Sequence, residues 1–417
     1  MKRLEYILAQ RTARADGGSR GVVMMRIATL TVALALAVMI ITLAVFTGFR
    51  RQISSDFRGF ASDVVLFDVA ALGRSEGAPI AGDESVKRWI AEQKEVESVS
   101  EYAAVGCMIK NGDKVVGLQI KGIGTDCDTE WWASHIKQGA LPDLEAESRS
   151  KQLLISQSTA RSLEVEVDDK LELLYLDSGT SPRRDSFRVA GIYSTGMEEM
   201  DRSMALADIR DVRRLAGWGD EMIKGYDIML RRADDAERVA RRIDDEIAQL
   251  PDDNPLMNTL ATTIEERYPV VFDWLKAHTI IAQTILIIMM VVLLFNMAAA
   301  MLIMVFDRIG MIGVLKAQGM RNKAIARIFL YRAALLFARG AAWGNAVGLA
   351  LIAVQAVWHP VKLDPEGYML SELPVSIGLG WWALLNIATL AITVAVMVLP
   401  SMMVARIKCE ESLKYKL

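Results

Sequence analysis

The sequence predicts a membrane protein with four transmembrane α-helices and a large α+β extracytoplasmic domain inserted between helices 1 and 2. Three observations lead there. The 417 residues are 52% hydrophobic and 24% charged with a mean hydropathy of +0.25, too apolar for an average soluble protein and too charged for one wholly in the bilayer. The apolar residues are concentrated: no charge occurs over 23 residues from Ile27, 30 from Ala277, 19 from Gly340 and 33 from Leu373. Each run exceeds the roughly 18 residues that favour a transmembrane helix. Finally, residues 50–276 hold 30 Lys and Arg against 43 Asp and Glu, a net of −13 that leaves +10 for the rest of the chain.

The elements follow in order. Residues 1–21 open with RLEYILAQRT, which sets Leu4, Ile7 and Leu8 on one face of an amphipathic helix; it lies along the cytoplasmic surface or forms a solvated tail. The first apolar run follows six basic side chains, is longer than a signal-peptide core and has no small-x-small cleavage site after it, so 22–49 reads as a retained anchor. In the domain at 50–262, expected to have two subdomains, strand and helix signals alternate. DVVLFDV reads as strand, SVKRWIAEQK as helix, and AVGCMIK-NGDK-VVGLQIKGI as a hairpin, because Asn-Gly supplies the positive φ of a tight turn. LLIS reads as strand, QSTARSLE as helix, KLELLYL and SFRVAGIY as paired strands around DSGTSPRRD, GYDIMLRR as strand, and DDAERVARRIDDEIAQL as a charged helix. TTIEERYPVVFDWLKAHTIIAQ reads as a stalk helix running straight into membrane helix 2, together 263–306.

A short segment (307–326), helix 3 (327–358), a loop (359–374), helix 4 (375–405) and a tail (406–417) complete the chain. The N-terminal tail, the 307–332 region and the C-terminus are rich in Lys and Arg, whereas HPVKLDPEGYMLSE has one Lys and three acids. The positive-inside rule therefore places both termini and the 307–332 loop in the cytoplasm and 50–276 outside.

Chemical motifs are scarce. GxxxxGK[ST], HExxH and CxxC are all missing, and the three histidines, His135, His278 and His359, are scattered. Glu198, Glu199 and Asp201 form a carboxylate cluster without complementary His or Cys, which reads as a solvated loop rather than a metal site. No bound cofactor, metal, catalytic group or nucleic-acid partner is expected. Cys107 and Cys127 share the external domain, so one disulfide is open but not implied. Within helix 3, Gly340, Gly344 and Gly348 at four-residue spacing predict close approach of another helix. Arg332 and Arg339 are placed to snorkel at its cytoplasmic end, and Asn296 in helix 2 to bond another helix or line a cavity.

The segment IGVLKAQGM, residues 312–320, after Arg308 and before IARIFLYRAALLF, resembles the cytoplasmic signature of the FtsX-like or MacB-like permease family of ABC transporters. QIKGIGTD, LLISQSTARSLEVEVDDKLELLYL, FRVAGIYSTGMEEMD and ARIKCEESLKY are similar, in order, to permease subunits of the lipoprotein-releasing complex. The resemblance implies one membrane helix, a periplasmic domain and three further helices in the inner membrane. It also implies a coupling helix seated in a separate ATP-binding subunit that binds ATP and Mg²⁺. The residues it assigns to coupling are Ile309, Met311, Ile312, Gly313, Leu315, Lys316, Gly319 and Met320. Of these, Ile309, Ile312 and Leu315 share an apolar ridge, and Met311 stands where many relatives have an acid. Further implied partners are a second permease, identical or paralogous, a lipoprotein cargo and a periplasmic carrier met by Ser181, Pro182, Arg183 and Arg184 near the tip of DSGTSPRRD. A plain basic surface loop at 307–326 and a solvated turn at 177–185 are the alternatives. At the level of function, lipoprotein release stands beside mechanotransmission to a cell-wall hydrolase or efflux pump, and beside a receptor or scaffold without an ATPase.

Overall fold

The computed structural model describes residues 19–69, 79–175, 183–251, 254–363, 370 and 372–406. The expected N-terminal amphipathic helix and most of the C-terminal tail lie outside them. The chain divides into two units: Met1–Arg51 with Trp274–Val361 and Leu373–Leu417, and Gln52–Asp273 with Lys362–Glu372.

The second unit is built on strands. Twelve are described: β1 Val64–Asp68, β2 Ile80–Ala81, β3 Val96–Asn111, β4 Lys114–Ile123, β5 Ile136–Gly139, β6 Gln152–Ser156, β7 Lys170–Tyr175, β8 Arg183–Tyr193, β9 Met204–Asp208, β10 Met222–Ile223, β11 Gly225–Leu230 and β12 Thr259–Thr263. The long β3 serves two substructures. Its first half continues a sheet ordered β12-β1-β11-β3, and its second half enters a ring, β3-β4-β9-β6-β8-β7, that closes because β7 pairs with both β8 and β3. Closure removes open edges, and Ile109, Ile120, Leu153, Leu173, Phe187 and Val189 are fully or almost fully buried in the unit's core. The Asn-Gly hairpin is present, with Asn111 opposite Lys114 and Gly112 at φ +59°. Cys107 and Cys127 are free thiols; burial pushes the Cys107 thiol up to about 12.

β1 and β12 pair antiparallel with Val64 opposite Thr263, so the first and last strands of this unit are neighbours. Asp63, fully buried, fastens this root. Its carboxylate accepts two hydrogen bonds from Arg58 (2.6 and 2.8 Å) and one from the Leu230 amide (2.8 Å), and its carbonyl accepts from the Ile264 amide. The expected stalk is corrected here. Residues 259–263 are strand, Thr263 and Glu266 form a capping box for the short helix Ile264–Arg267, and a new helix begins only at Pro269. Tyr268 has φ −122° and ψ 55°, as expected of a residue excluded from helical geometry by the proline ring after it. The carboxylate cluster is also not a solvated loop. Glu198–Ser203 is a short helix, and the buried Asp201 accepts from the Thr195 amide and hydroxyl. Burial raises the Asp201 carboxyl above its ordinary range.

The first unit is helical. Among the described residues four helices are long and apolar enough to cross a membrane: Ser19–Ala61 (helix 1), Pro269–Phe306 (helix 2), Asn322–Trp358 (helix 3) and Leu379–Arg406 (helix 4). Gly340, Gly344 and Gly348 are buried against helix 1, facing Val32, Ala33 with Leu36, and Ala37 with Ile40. Thr29, Ala33 and Ala37 repeat the four-residue spacing on the opposing helix, so two stripes of small residues let the backbones meet. Helix 1 also meets the segment before helix 4: the Ser376 amide donates to the Ala44 carbonyl (2.9 Å), and a Cβ on Gly48 would lie 2.6 Å from the Pro374 carbonyl oxygen.

Candidate coupling site

Phe306 ends helix 2, and after Asp307 and Arg308 the helix Ile309–Ala317 begins. Arg308, at φ −119° and ψ 21°, makes the turn, and its carbonyl accepts from the Ile312 amide. The nine-residue helix closes in a Schellman motif. Met320 N–H donates to the Leu315 carbonyl at 3.0 Å and Gly319 N–H to the Lys316 carbonyl at 2.9 Å, with Gly319 at φ +82°. Only glycine reaches that conformation without strain, so Gly319 sets the direction in which the chain re-enters helix 3 at Asn322. Lys316, in the last turn, suits the negative end of the helix dipole.

The structure divides the sequence-assigned residues. Ile312 is fully buried in the helical unit's core with Met304, Val305, Ile325 and Phe329; Gly313 is also buried, and Met311, Leu315 and Met320 pack half-buried against the same cluster. Ile309 and Lys316 are half-buried and Gly319 is exposed. The apolar ridge therefore faces inward, where it joins the end of helix 2 to the start of helix 3. The outward face consists of Gly310, Val314, Ala317 and Gln318, with Val314 54% exposed and no atom within 4 Å of a Cβ built on Gly310. Exposed Asp307 precedes this helix in the chain and exposed Arg321, Lys323 and Arg327 follow it. The outward face holds no reactive group.

Two polar arrangements in the membrane escape the sequence reading. Asn345 of helix 3 and Asn386 of helix 4 exchange amide hydrogen bonds (2.7 and 3.1 Å), and Trp382 Nε1 donates to Asn345 Oδ1 at 2.7 Å. Gln355, buried, ties the end of helix 3 to the carbonyls of Val361 and Leu373 at 3.1 Å. An isolated amide in an apolar run is the signal that finds such sites, and the runs of helices 3 and 4 carry it. Asn296, the amide singled out beforehand, is half-buried and takes no part in either arrangement.

In the strand-rich unit, Ser181 and Pro182 lie outside the described residues. Arg183 and Arg184 are not at a loop tip: they begin β8, opposite Tyr175 and Leu174. The Arg183 guanidinium occupies the space beside Gly217, at the C-terminus of helix Ile209–Ala216, where it complements the dipole. Arg184 faces Glu172 at 3.6 Å, both largely exposed. Among the described residues no group of three or more His, Cys, Asp or Glu could hold a metal ion.

Two sequence profiles match the chain: the MacB-like periplasmic core domain over residues 26–246 and the FtsX-like permease C-terminal region over 284–409. The chain belongs to the FtsX-like and MacB-like permease family. This permease thus has four membrane helices with a MacB-like periplasmic domain between the first and second. It is 21% identical over 412 residues to the lipoprotein-releasing system transmembrane protein LolC of Xylella fastidiosa, covering 93% of this chain and 92% of that one. To the corresponding LolE of Haemophilus influenzae it is 21% identical over 346 residues, covering 77% and 75%. The crystal structure of the periplasmic region of MacB from Actinobacillus actinomycetemcomitans is 15% identical, covers 51% of this chain and 94% of that one, and superposes with a TM-score of 0.34.

Proposed function

We propose that this chain is the non-catalytic permease subunit of an inner-membrane ABC transporter that releases lipoproteins, taking them from the outer leaflet and passing them to a periplasmic carrier. The reading is supported by likeness, over nearly the whole chain, to transmembrane proteins named for lipoprotein release. Both termini and the coupling helix lie in the cytoplasm. A separate ATP-binding subunit, LolD-like, binds ATP and Mg²⁺ and receives the Gly310, Val314 and Ala317 face. Ile312 anchors that helix in the permease core, so displacement of its outer face is passed to helices 2 and 3 together. A second permease, identical or paralogous, meets the exposed apolar faces of helices 1 and 2, where Leu34, Ile288 and Phe295 face outward, and acyl chains of the cargo occupy the space between.

Purification from gently solubilised membranes tests this. An ATPase is expected to copurify, and Val314→Asp to abolish that association while the chain stays folded. Ile312→Asp is expected instead to unfold the helix from the core. Absence of an ATPase, or its retention by Val314→Asp, would overturn the coupling assignment. Photocrosslinking from Leu34 and Phe295 is expected to capture triacylated lipoprotein; capture of a soluble cell-wall hydrolase at the periplasmic domain alone would support mechanotransmission in its place.

A further inference from the structure

Helix 2 is held in the helical unit by a different kind of contact from the other three membrane helices. Helices 1 and 3 meet backbone to backbone: a Cβ at Gly344 would lie 2.6 Å from the Ala33 carbonyl oxygen and one at Gly340 2.6 Å from Val32 Cβ. Such an interface has one register, because any sliding drives side chains into main chain. Helices 3 and 4 are joined by the Asn345, Asn386 and Trp382 hydrogen bonds, and the segment leading into helix 4 is bonded to helix 1 through Ser376 and Ala44. All three links are directional.

The start of helix 2 packs on helix 1 through Trp274 and Phe49, but over Ile280–Phe306 none of these links is present among the described residues. Between Ile280 and Phe306 the side-chain hydrogen bond it makes among the described residues, from Thr284 to the Ile280 carbonyl, stays within the helix. It packs instead through Leu293 and through Met297, Met301 and Met304, all buried, with Met289 and Met290 half-buried against the same cluster. Val305, beside Met304, joins that cluster too, but the β-branched Ile287, Ile288, Val291 and Val292 are 44–64% exposed. The inward stripe is thus mostly the adaptable methionine and the outward one mostly stiff β-branched side chains. A methionine face keeps its dispersion contacts through small displacements, since three rotatable bonds let each thioether follow its neighbours. The helix is also bounded by a non-helical residue at each end, Tyr268 and Arg308, the type of position that absorbs hinge rotation.

We propose that helices 1, 3 and 4 form one rigid block and that helix 2 is a separate rod which slides against it on its methionine face. This deepens the transport reading, because helix 2 is continuous in sequence with the coupling helix, but its test requires neither ATPase nor cargo.

The full chain in lipid nanodiscs, diluted with unlabelled chain, would carry pairs of spin labels on unnatural amino acids at outward-facing positions, leaving the cysteines native. The pairs are Leu34 with Val347 (helices 1 and 3), Leu384 with Val347 (helices 4 and 3) and Ile288 with Val347 (helices 2 and 3), all well exposed. Distance distributions for the first two pairs are expected to be narrow and insensitive to bilayer thickness. The third is expected to be broader and to shift by about 1–2 Å or more between thin and thick bilayers, the scale of helix shifts at interfaces. Met297→Ile with Met301→Ile is expected to narrow the third distribution alone. Equal widths for all three pairs, or broadening of the Leu34 and Val347 pair, would overturn the proposal. Failure of an ATPase to bind would count against the transport reading and leave this result intact.

Discussion

Replacing one glycine of helix 3 by alanine separates a backbone contact from ordinary packing. At Gly344 the added methyl would sit 2.6 Å from the Ala33 carbonyl oxygen, 3.0 Å from Leu36 Cβ and 3.2 Å from Ala33 Cα. The carbonyl distance is about 0.7 Å inside the ~3.3 Å at which carbon settles on a carbonyl oxygen, and main chain cannot rotate away as a side chain does. Overpacking of this kind costs about 2 kcal/mol, offset by about 1 kcal/mol from alanine's better helix propensity, for a net loss of about 1 kcal/mol. At Gly348 the nearest atoms are Ala37 Cα, Ile40 Cβ and Ile40 Cγ2, all at 3.4 Å, which is contact without overlap. There the propensity gain stands alone, and Gly348→Ala is expected to stabilise by about 0.5–1 kcal/mol. The two single-methyl changes should therefore differ by about 2 kcal/mol, roughly a thirtyfold change in the unfolding equilibrium. Unfolding of the full chain by SDS in mixed micelles, followed by far-ultraviolet circular dichroism, measures the difference. A neutral Gly344→Ala, or a Gly348→Ala as damaging, would refute the claim that helices 1 and 3 touch at Gly344.

Asp63→Ala breaks a fully buried carboxylate from Arg58 and the Leu230 amide, and about 3 kcal/mol of stability is expected to be lost in denaturant titration; Arg184→Ala, at an exposed pair, should change less than about 0.5 kcal/mol. Asn345→Leu is expected to cost about 1–2 kcal/mol in the same SDS assay, since Asn386 and Trp382 both lose their partner in the membrane. Hydrogen bonding to Arg242 holds the Glu95 carboxyl at about 2 against an ordinary 4.5. A depressed carboxylate stabilises the fold above its unfolded value and ceases to do so as the pH falls through its folded one, so thermal scans should decline between about pH 4.5 and pH 2, and Glu95→Gln should flatten that limb.

The four membrane runs and the Asn-Gly hairpin were legible in the residues, because each depends on local composition or on one dipeptide. The stalk was misread for a related reason. Helical periodicity persists through TTIEERYPVVFDWLK, yet Thr259–Thr263 is recruited as a strand by pairing with β1, and such pairing between distant segments leaves no mark in a short window. Arg183 and Arg184 looked like loop residues beside a proline and became strand residues once β7 set the register of β8.

For the coupling segment, a short helix with one apolar ridge and a glycine exit between two membrane helices is readable from the residues alone, because spacing and turn chemistry are properties of neighbouring residues. The direction in which that helix faces emerges from packing between distant segments. Ile312 belongs to the permease's own core, and Gly310, Val314 and Ala317 are left exposed. A 3.6-residue repeat records that one face is to be buried; it holds no information about whether the burying surface comes from the same chain or another.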